Sequence, residues 1–123
     1  MKIKGFIAIL LMAGIIVFFI YILKPGKKEA IEKGIEGISQ AKIGVTKINM
    51  KALESDIISF IASRGEAPDN LNQLMKRNPL GAEKWDEWGM EIKYEKISDL
   101  NYRLISAGKD RQFNTQDDIV IEN

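Results

Sequence analysis

Apolar residues follow three different patterns along this chain, and the first is an unbroken run. Residues 5–23 form 19 consecutive positions without a charge, an amide or a hydroxyl, apart from the phenol of Tyr21. As a helix this run would be ~28 Å long, close to the roughly 30 Å hydrocarbon core of a bilayer. The run therefore predicts a transmembrane anchor over residues 1–24, followed by one domain of about 100 residues over 25–123.

A cleaved signal peptide is the main alternative for this segment, and two features argue against it. The apolar run is longer than the roughly 7–15 residues of a signal-peptide core, and residues 19–23 lack the small side chains of a cleavage site. The orientation stays open, because lysines flank both ends of the run, so the positive-inside rule does not choose between them.

The second pattern has helical spacing. Apolar residues recur at steps of three and four, at Ile31, Ile35, Ile38, Ala41, Val45, Ile48 and Ala52, and they continue at Ile57 and Phe60/Ile61. They predict a long amphipathic helix over residues 28–63, after a break at Lys24-Pro25-Gly26. Little other chain is present to cover residues 28–45, which favours a subunit interface there over packing within the domain.

The third pattern is alternation, and it predicts a small antiparallel sheet. Residues 90–94 and 102–106 alternate around turn residues 98–101, which indicates a hairpin, and residues 119–121 form a last strand. Arg64-Gly65 ends the long helix, and Asp69 or Asn70 caps a short helix over residues 69–76. The expected fold class is α+β, with a long helix packed on the sheet.

Composition and charge exclude several functions. The chain has neither Cys nor His, which removes disulfides, thiolate nucleophiles, the usual zinc sites and imidazole catalysis. It has 18 basic and 17 acidic residues. Without Lys2 and Lys4 the remainder holds 16 against 17, so no nucleic-acid partner is expected.

Two smaller features have a structural and a functional interpretation each. Ser39 and Lys42 match the S-x-x-K motif of penicillin-recognising enzymes, but the companion S-D-N and K-T-G motifs are missing, so no enzyme is expected. An aromatic cluster of Trp85, Trp88 and Tyr94 could bind a ligand, although in a domain of this size such a cluster is more often part of the core.

The segment from Ser106 to Asp118 is the strongest candidate for chemistry. Its three carboxylates lie within nine positions of a polar stretch rich in backbone carbonyls, a donor set suited to Ca²⁺. The spacing is not that of an EF-hand. The alternative is an ordinary acidic loop whose aspartates cap turns and pair with Lys109 and Arg111.

Several of these stretches, taken in order, resemble the major pseudopilin of type II secretion systems. The resemblance covers about residues 40–121. It rests on Asp86-Glu87-Trp88-Gly89, Ile92-Lys93-Tyr94, Tyr102-Arg103-Leu104-Ile105-Ser106-Ala107-Gly108-Lys109-Asp110 and Thr115-Gln116-Asp117-Asp118-Ile119.

The resemblance implies a type IV pilin-like fold and a single-pass protein of the bacterial inner membrane, with its head in the periplasm. The N-terminal helix would assemble with itself or other pseudopilin subunits of the secretion machinery. Structural Ca²⁺ would be held by the side chains of Asp110, Asp117 and Asp118, with the backbone carbonyls of Ala107 and Gln112.

The N-terminus both matches and departs from the family. Gly5 and Phe6 match the residues on either side of the prepilin cleavage site, whereas the family's glutamate, which pairs with a neighbouring subunit during assembly, is Leu10 here. Two hypotheses follow: a subunit of a secretion or pilus-like machine, or a permanently anchored, calcium-binding head that does not polymerise and contacts another envelope protein.

Overall fold

The computed structural model describes residues 2–23 and 25–123, without the side chains of residues 2–6, 25 and 27. Lys24 of the expected break therefore lies outside the described part. At the expected cleavage site, only the backbone of Gly5 and Phe6 is described. The helices are α1 (Lys2–Ile22), α2 (Pro25–Arg64) and α3 (Leu71–Arg77), and the strands are β1 (Lys93–Lys96), β2 (Tyr102–Ser106) and β3 (Ile119–Glu122). The chain is α+β, as expected.

The chain divides into two units, the first ending at Ile38 and the second formed by Ser39–Asn123. In the first unit, every side chain described over residues 7–23 is exposed, and so are Ile31, Ile35 and Ile38 of α2. Within the part of the chain that the structure describes, no helix is both long and apolar enough to cross a membrane.

The helix boundaries follow from local chemistry. Helix α2 begins at Pro25, three residues earlier than expected, since proline suits a first helical position that needs no N–H donor. It ends before Gly65, whose φ of 80° lets its N–H bond the Ile61 carbonyl at 2.7 Å. Helix α3 begins at Leu71 because Asn70 caps it, its side chain accepting the N–H of Gln73.

The sheet is antiparallel, in the order β1-β2-β3. Strand β2 has the expected bounds, and β3 begins where expected and ends one residue later. Only β1 is shifted towards the C-terminus. Lys93 stands opposite Ile105, and Ser106 stands opposite Ile119. β1 starts at Lys93 rather than residue 90, because Met90 is used in a turn, where its carbonyl accepts the Asp86 N–H at 2.8 Å.

The core of the second unit lies between α2 and the sheet. Its α2 members are spaced by three and four, as Met50, Leu53, Ile57 and Phe60, and they cluster with strand residues such as Tyr102 and Leu104. The expected stripe is confirmed at Ile57 and Phe60, which are buried. It was wrong as a core face nearer the start of this unit, since Val45 is 45% and Ile48 69% exposed. The buried face instead includes the polar residue Thr46, which a search for apolar residues passes over.

The aromatic cluster is divided between core and surface. Trp88 is buried and Tyr94 half-buried, as core packing predicts, but Trp85 is 48% exposed. Trp85 stands opposite Glu91 in an isolated antiparallel bridge, and the Lys84 amine lies 5.5 Å from the centre of its ring.

Tyr94 joins β1 to the segment before α3. Its hydroxyl donates to the Pro68 carbonyl at 2.6 Å, and its ring stacks on Tyr102 with 6.2 Å between centroids. Burial, with the neighbouring Tyr102 and the charge of Asp69, raises the pKa of Tyr94 to about 12.

We expect Tyr94 to ionise last on alkaline titration. Because the folded pKa is raised above the ordinary value of 10.0, its contribution to stability is complete below pH 10 and is lost as the pH rises towards about 12. The difference in phenolate absorbance between the parent and Tyr94→Phe should have its midpoint near pH 12. A midpoint near pH 10 would show that the Tyr94 hydroxyl is not buried beside Tyr102 and Asp69 as the structure has it.

Candidate functional site

Residues 107–118 form the loop between β2 and β3, and its path depends on one close approach. Gly108 has a φ of 66°, and a Cβ atom there would collide with the carbonyl oxygen of Asp117. Only glycine fits, on grounds of both conformation and space. Arg111 and Asn114 also have positive φ, of 58° and 68°, so the loop curls back on itself. The two ends of the expected metal site are thereby brought together.

Each of the three aspartates uses one carboxylate oxygen to accept a backbone N–H within the loop. Asp117 Oδ2 accepts the N–H of Asp110 at 2.9 Å. Asp110 Oδ1 accepts the N–H of Gln112, and Asp118 Oδ2 that of Asn114, both at 2.8 Å. These bonds orient the carboxylates and use only one oxygen of each.

The remaining oxygens of two aspartates converge on the hydroxyl of Thr115. Its Oγ1 lies 2.8 Å from Asp117 Oδ1, 3.4 Å from Asp118 Oδ1 and 3.2 Å from the Gln112 carbonyl oxygen. A hydroxyl has one proton to donate, so it satisfies one of these three acceptors at a time. The loop thus gathers more oxygen acceptors at this point than it has donors for.

The five expected ligands are brought together only in part. Gln112, Asp117 and Asp118 meet at Thr115, whereas Asp110 joins them through its N–H to Asp117. Ala107 is buried at the end of β2, and within the described residues none of the loop's hydrogen bonds involves its carbonyl. In that same part of the chain, no group of three or more carboxylates is already placed to hold one metal ion.

The alternative interpretation of an ordinary acidic loop is likewise met in part. The aspartates do accept backbone N–H groups as turn caps. Lys109 and Arg111, however, form no ion pair with any carboxylate in the described part of the chain. The loop's negative charge is therefore not neutralised by its own basic residues through direct contacts.

Asp117 is held in its charged form. The N–H of Asp110 and then the hydroxyl of Thr115 lower its pKa below the ordinary value of 3.8. Because the folded pKa is lowered, this stabilisation is present above about pH 4 and is lost as the pH falls through the folded pKa. The carboxylate is an anion at any pH at which a divalent cation would bind it.

A buried carboxylate, quoted in the sequence analysis as part of a motif but given no role there, anchors the start of the loop. Asp86 is 5% exposed, and its Oδ1 accepts the N–H groups of Trp88 and Met90 at 3.0 and 2.8 Å. Its Oδ2 accepts the hydroxyl of Ser106 at 2.7 Å, and the Ser106 oxygen in turn accepts the N–H of Gly108 at 3.2 Å. Asp86 thus joins the turn around Trp88, through Ser106, to Gly108, the glycine that the path of the loop requires.

Helix α2 holds this turn from the other side. The hydroxyl of Thr46 accepts the N–H of Glu87 at 3.2 Å, and the amine of Lys42 donates to the Glu87 carbonyl at 2.9 Å. Lys42 is therefore engaged as a tether for the turn, and within the described residues no hydrogen bond joins it to Ser39. A polar residue at a core position of α2, Thr46, is the signal that could have revealed this contact.

Comparisons with protein-family models, with curated proteins and with solved structures gave no match.

We expect Asp86→Ala to destabilise the second unit by about 3 kcal/mol or more, because it leaves two N–H groups and a hydroxyl buried without an acceptor. Ser106→Ala, which removes one member of the same network, should cost about 1–2 kcal/mol. Urea denaturation followed by tryptophan fluorescence measures both. The exposed Asp99 provides the control, and Asp99→Ala should change stability by less than about 0.5 kcal/mol. Equal effects of Asp86→Ala and Asp99→Ala would contradict this role.

Proposed function

We propose that this protein is a structural subunit of a type II secretion or type IV pilus-like machine. It assembles through its N-terminal helix, and calcium stabilises its extracytoplasmic head. The observation that carries the proposal is the convergence of oxygens from Gln112, Asp117 and Asp118 on one hydroxyl. The order of motifs that resembles a major pseudopilin supplies the class of machine.

Calcium is the cation that fits the donors in the loop. Ca²⁺ takes six to eight oxygens at flexible geometry and accepts carboxylates mixed with carbonyls, whereas Mg²⁺ demands near-ideal octahedral geometry. In the proposal Asp110, Asp117 and Asp118 hold the ion together with the carbonyls of Ala107 and Gln112. The ion supplies positive charge that keeps the carboxylates together, and its role is structural.

The bound form requires the loop described above to rearrange, because Asp110 and Ala107 do not meet the other three expected ligands at Thr115. Thr115 would turn its proton towards one acceptor and release the others to the cation. Asp117 and Asp118 keep their bonds to the N–H groups of Asp110 and Asn114, which already orient both carboxylates. The N–H bonds thus preorganise the site, and this reduces the cost of binding.

The proposed anchor is the uncharged run of residues 5–23. The structure describes the side chains of this run from residue 7 onwards. The apolar side chains over residues 7–23 are exposed in the first unit, and a surface of that kind requires lipid or other subunits to cover it. The proposal therefore places this segment in the inner membrane and the head outside the cytoplasm, where Ca²⁺ is plentiful.

A second candidate function shares the anchor and the calcium loop but not the filament. Leu10 stands where the resembling family has the glutamate that pairs with a neighbour's N-terminus. This favours a permanently anchored head that does not polymerise and contacts another envelope protein. Processing between Gly5 and Phe6 distinguishes the two candidates.

We expect calcium, and not magnesium, to raise the melting temperature of the full chain in detergent relative to a chelator. A ligand that binds only the folded state at a hundredfold excess over its Kd stabilises it by about 2.7 kcal/mol. Asp117→Asn keeps an oxygen for the Asp110 N–H but loses the charge, so the calcium response should disappear.

The matched control is Asp99→Asn, the same change at an exposed position of the β1–β2 turn, and it should respond as the parent does. Gly108→Ala should also lose the response, because its methyl group would collide with the Asp117 carbonyl. Identical melting in calcium, magnesium and chelator for the parent would contradict the proposed site.

We expect the first five residues to be removed in cells that have an active prepilin peptidase, leaving Phe6 as the N-terminus. Intact mass spectrometry of the membrane-extracted protein measures this directly. Gly5→Val should block the cleavage. Gly14→Val is the matched control, since a Cβ there meets nothing within 4 Å. A parent that keeps Met1 would favour the permanently anchored candidate instead.

A further inference from the structure

We propose that the outer edge of β3, together with the groove between β3 and α2, binds an extended, acidic segment of another polypeptide as a fourth strand. The site lies entirely within the second unit and does not involve the calcium loop. Its choice of occupant relies on the proposed membrane anchor, as argued below. Three features of the structure lead to it: unpaired backbone groups, an unprotected strand and an uncompensated lysine.

The first feature follows from the register of the sheet. The N–H of Asn123 donates to the Tyr102 carbonyl at 3.2 Å, which makes those two residues a hydrogen-bonded pair. Because bonded pairs alternate along an antiparallel ladder, Ile121 and Ile119 bond β2 as well. The N–H and C=O groups of Val120 and Glu122 therefore point away from β2, and among the described residues no backbone hydrogen bond reaches them.

The second feature is a contrast between the two edges of the sheet. β1 reads Lys-Tyr-Glu-Lys, and it is covered by the segment before α3, through Tyr94 on Pro68 and through Lys96 on Asp69 at 3.2 Å. β3 reads Ile-Val-Ile-Glu, and Val120 is 48% exposed. It has none of the lysines, prolines or bulges that usually protect an edge strand from pairing. The protein thus protects one edge and leaves the other open.

The third feature is the charge of the groove beside β3. Its volume is about 390 Å³, and its helical wall carries Lys47, Lys51 and Glu54. Lys51 and Glu54 neutralise each other at 2.7 Å. Lys47 is exposed and forms no ion pair with any described residue. Alternate side chains of an added strand would face this wall, so a carboxylate on that face complements Lys47.

A second copy of the chain is a poorer occupant. Pairing of β3 with its own copy about a two-fold axis would run the two α2 helices antiparallel. Their Ser39 ends, from which each chain continues to its proposed anchor, would then lie at opposite ends of the pair, which disfavours pairing between copies anchored in one membrane. In addition, the Glu122 carboxylate of such a copy is already paired with Arg103. The edge therefore fits a different polypeptide.

The test uses the full chain in detergent and two capped hexapeptides, one alternating valine with aspartate and the other valine with lysine. Amide hydrogen exchange at Val120 and Glu122 is measured by NMR. With nine tenths of the protein bound, the aspartate peptide should slow exchange at both amides about tenfold, because an amide exchanges only while it is unpaired. The lysine peptide should bind at least about threefold more weakly, because it cannot form the one exposed ion pair with Lys47.

Two variants separate the contribution of backbone hydrogen bonds to peptide binding from the contribution of charge. Val120→Pro removes an N–H that points away from β2, so it should preserve the sheet and abolish protection by the peptide. Lys47→Glu should reverse the preference between the two peptides. Lys76→Glu, on the exposed face of α3, is the matched control and should leave it unchanged. If Val120→Pro fails to fold, the peptide preference of Lys47→Glu still tests the proposal.

Three results would overturn the proposal. The first is the absence of protection with either peptide, and the second is protection that persists in Val120→Pro. The third is protection of Val120 and Glu122 without peptide that fades on dilution, which would assign the edge to a second copy. Calcium, chelator and N-terminal processing do not enter this readout, so failure here and failure of the proposed function are distinguishable.

Discussion

The second unit depends on one buried carboxylate. Asp86 accepts two backbone N–H groups of its own turn and the hydroxyl of Ser106, which passes the connection to Gly108. Three structural features are thus tied to a single residue: the turn around Trp88, the end of β2 and the start of the loop. Burial makes the network exacting, because each donor left without Asp86 would have no water to replace it.

The loop beyond Gly108 has the opposite character. Its polar groups are exposed, and its oxygens outnumber its donors where Thr115 meets Asp117 and Asp118. The two regions complement each other, since the buried network fixes one end of a loop in which oxygen acceptors outnumber donors. This division of roles suits a structural ion site, in which the protein supplies orientation and the cation supplies the attraction.

The sequence predicted what is local and periodic. Helix α2, the cap at Asn70, the hairpin and the acidic loop were all found from spacing and turn chemistry. Residues defined by long-range contacts were missed: Thr46 was passed over as polar, although it faces the core and holds Glu87. Trp85 was placed in the core by composition but lies on the surface. Within the loop, the residue types left open both an ion site and an ordinary acidic turn, and nothing in their spacing showed that oxygens of Gln112, Asp117 and Asp118 would meet at Thr115.

The most direct test of this account is hydrogen exchange of residues 107–118 in the full chain, measured with calcium and with a chelator. The account predicts that calcium slows exchange at the amides of Asp110 and Asn114, whose N–H groups already bond Asp117 and Asp118. Exchange in α2 and β2 should stay the same. Equal exchange at those two amides with and without calcium would contradict the account, and would leave the loop as an ordinary turn.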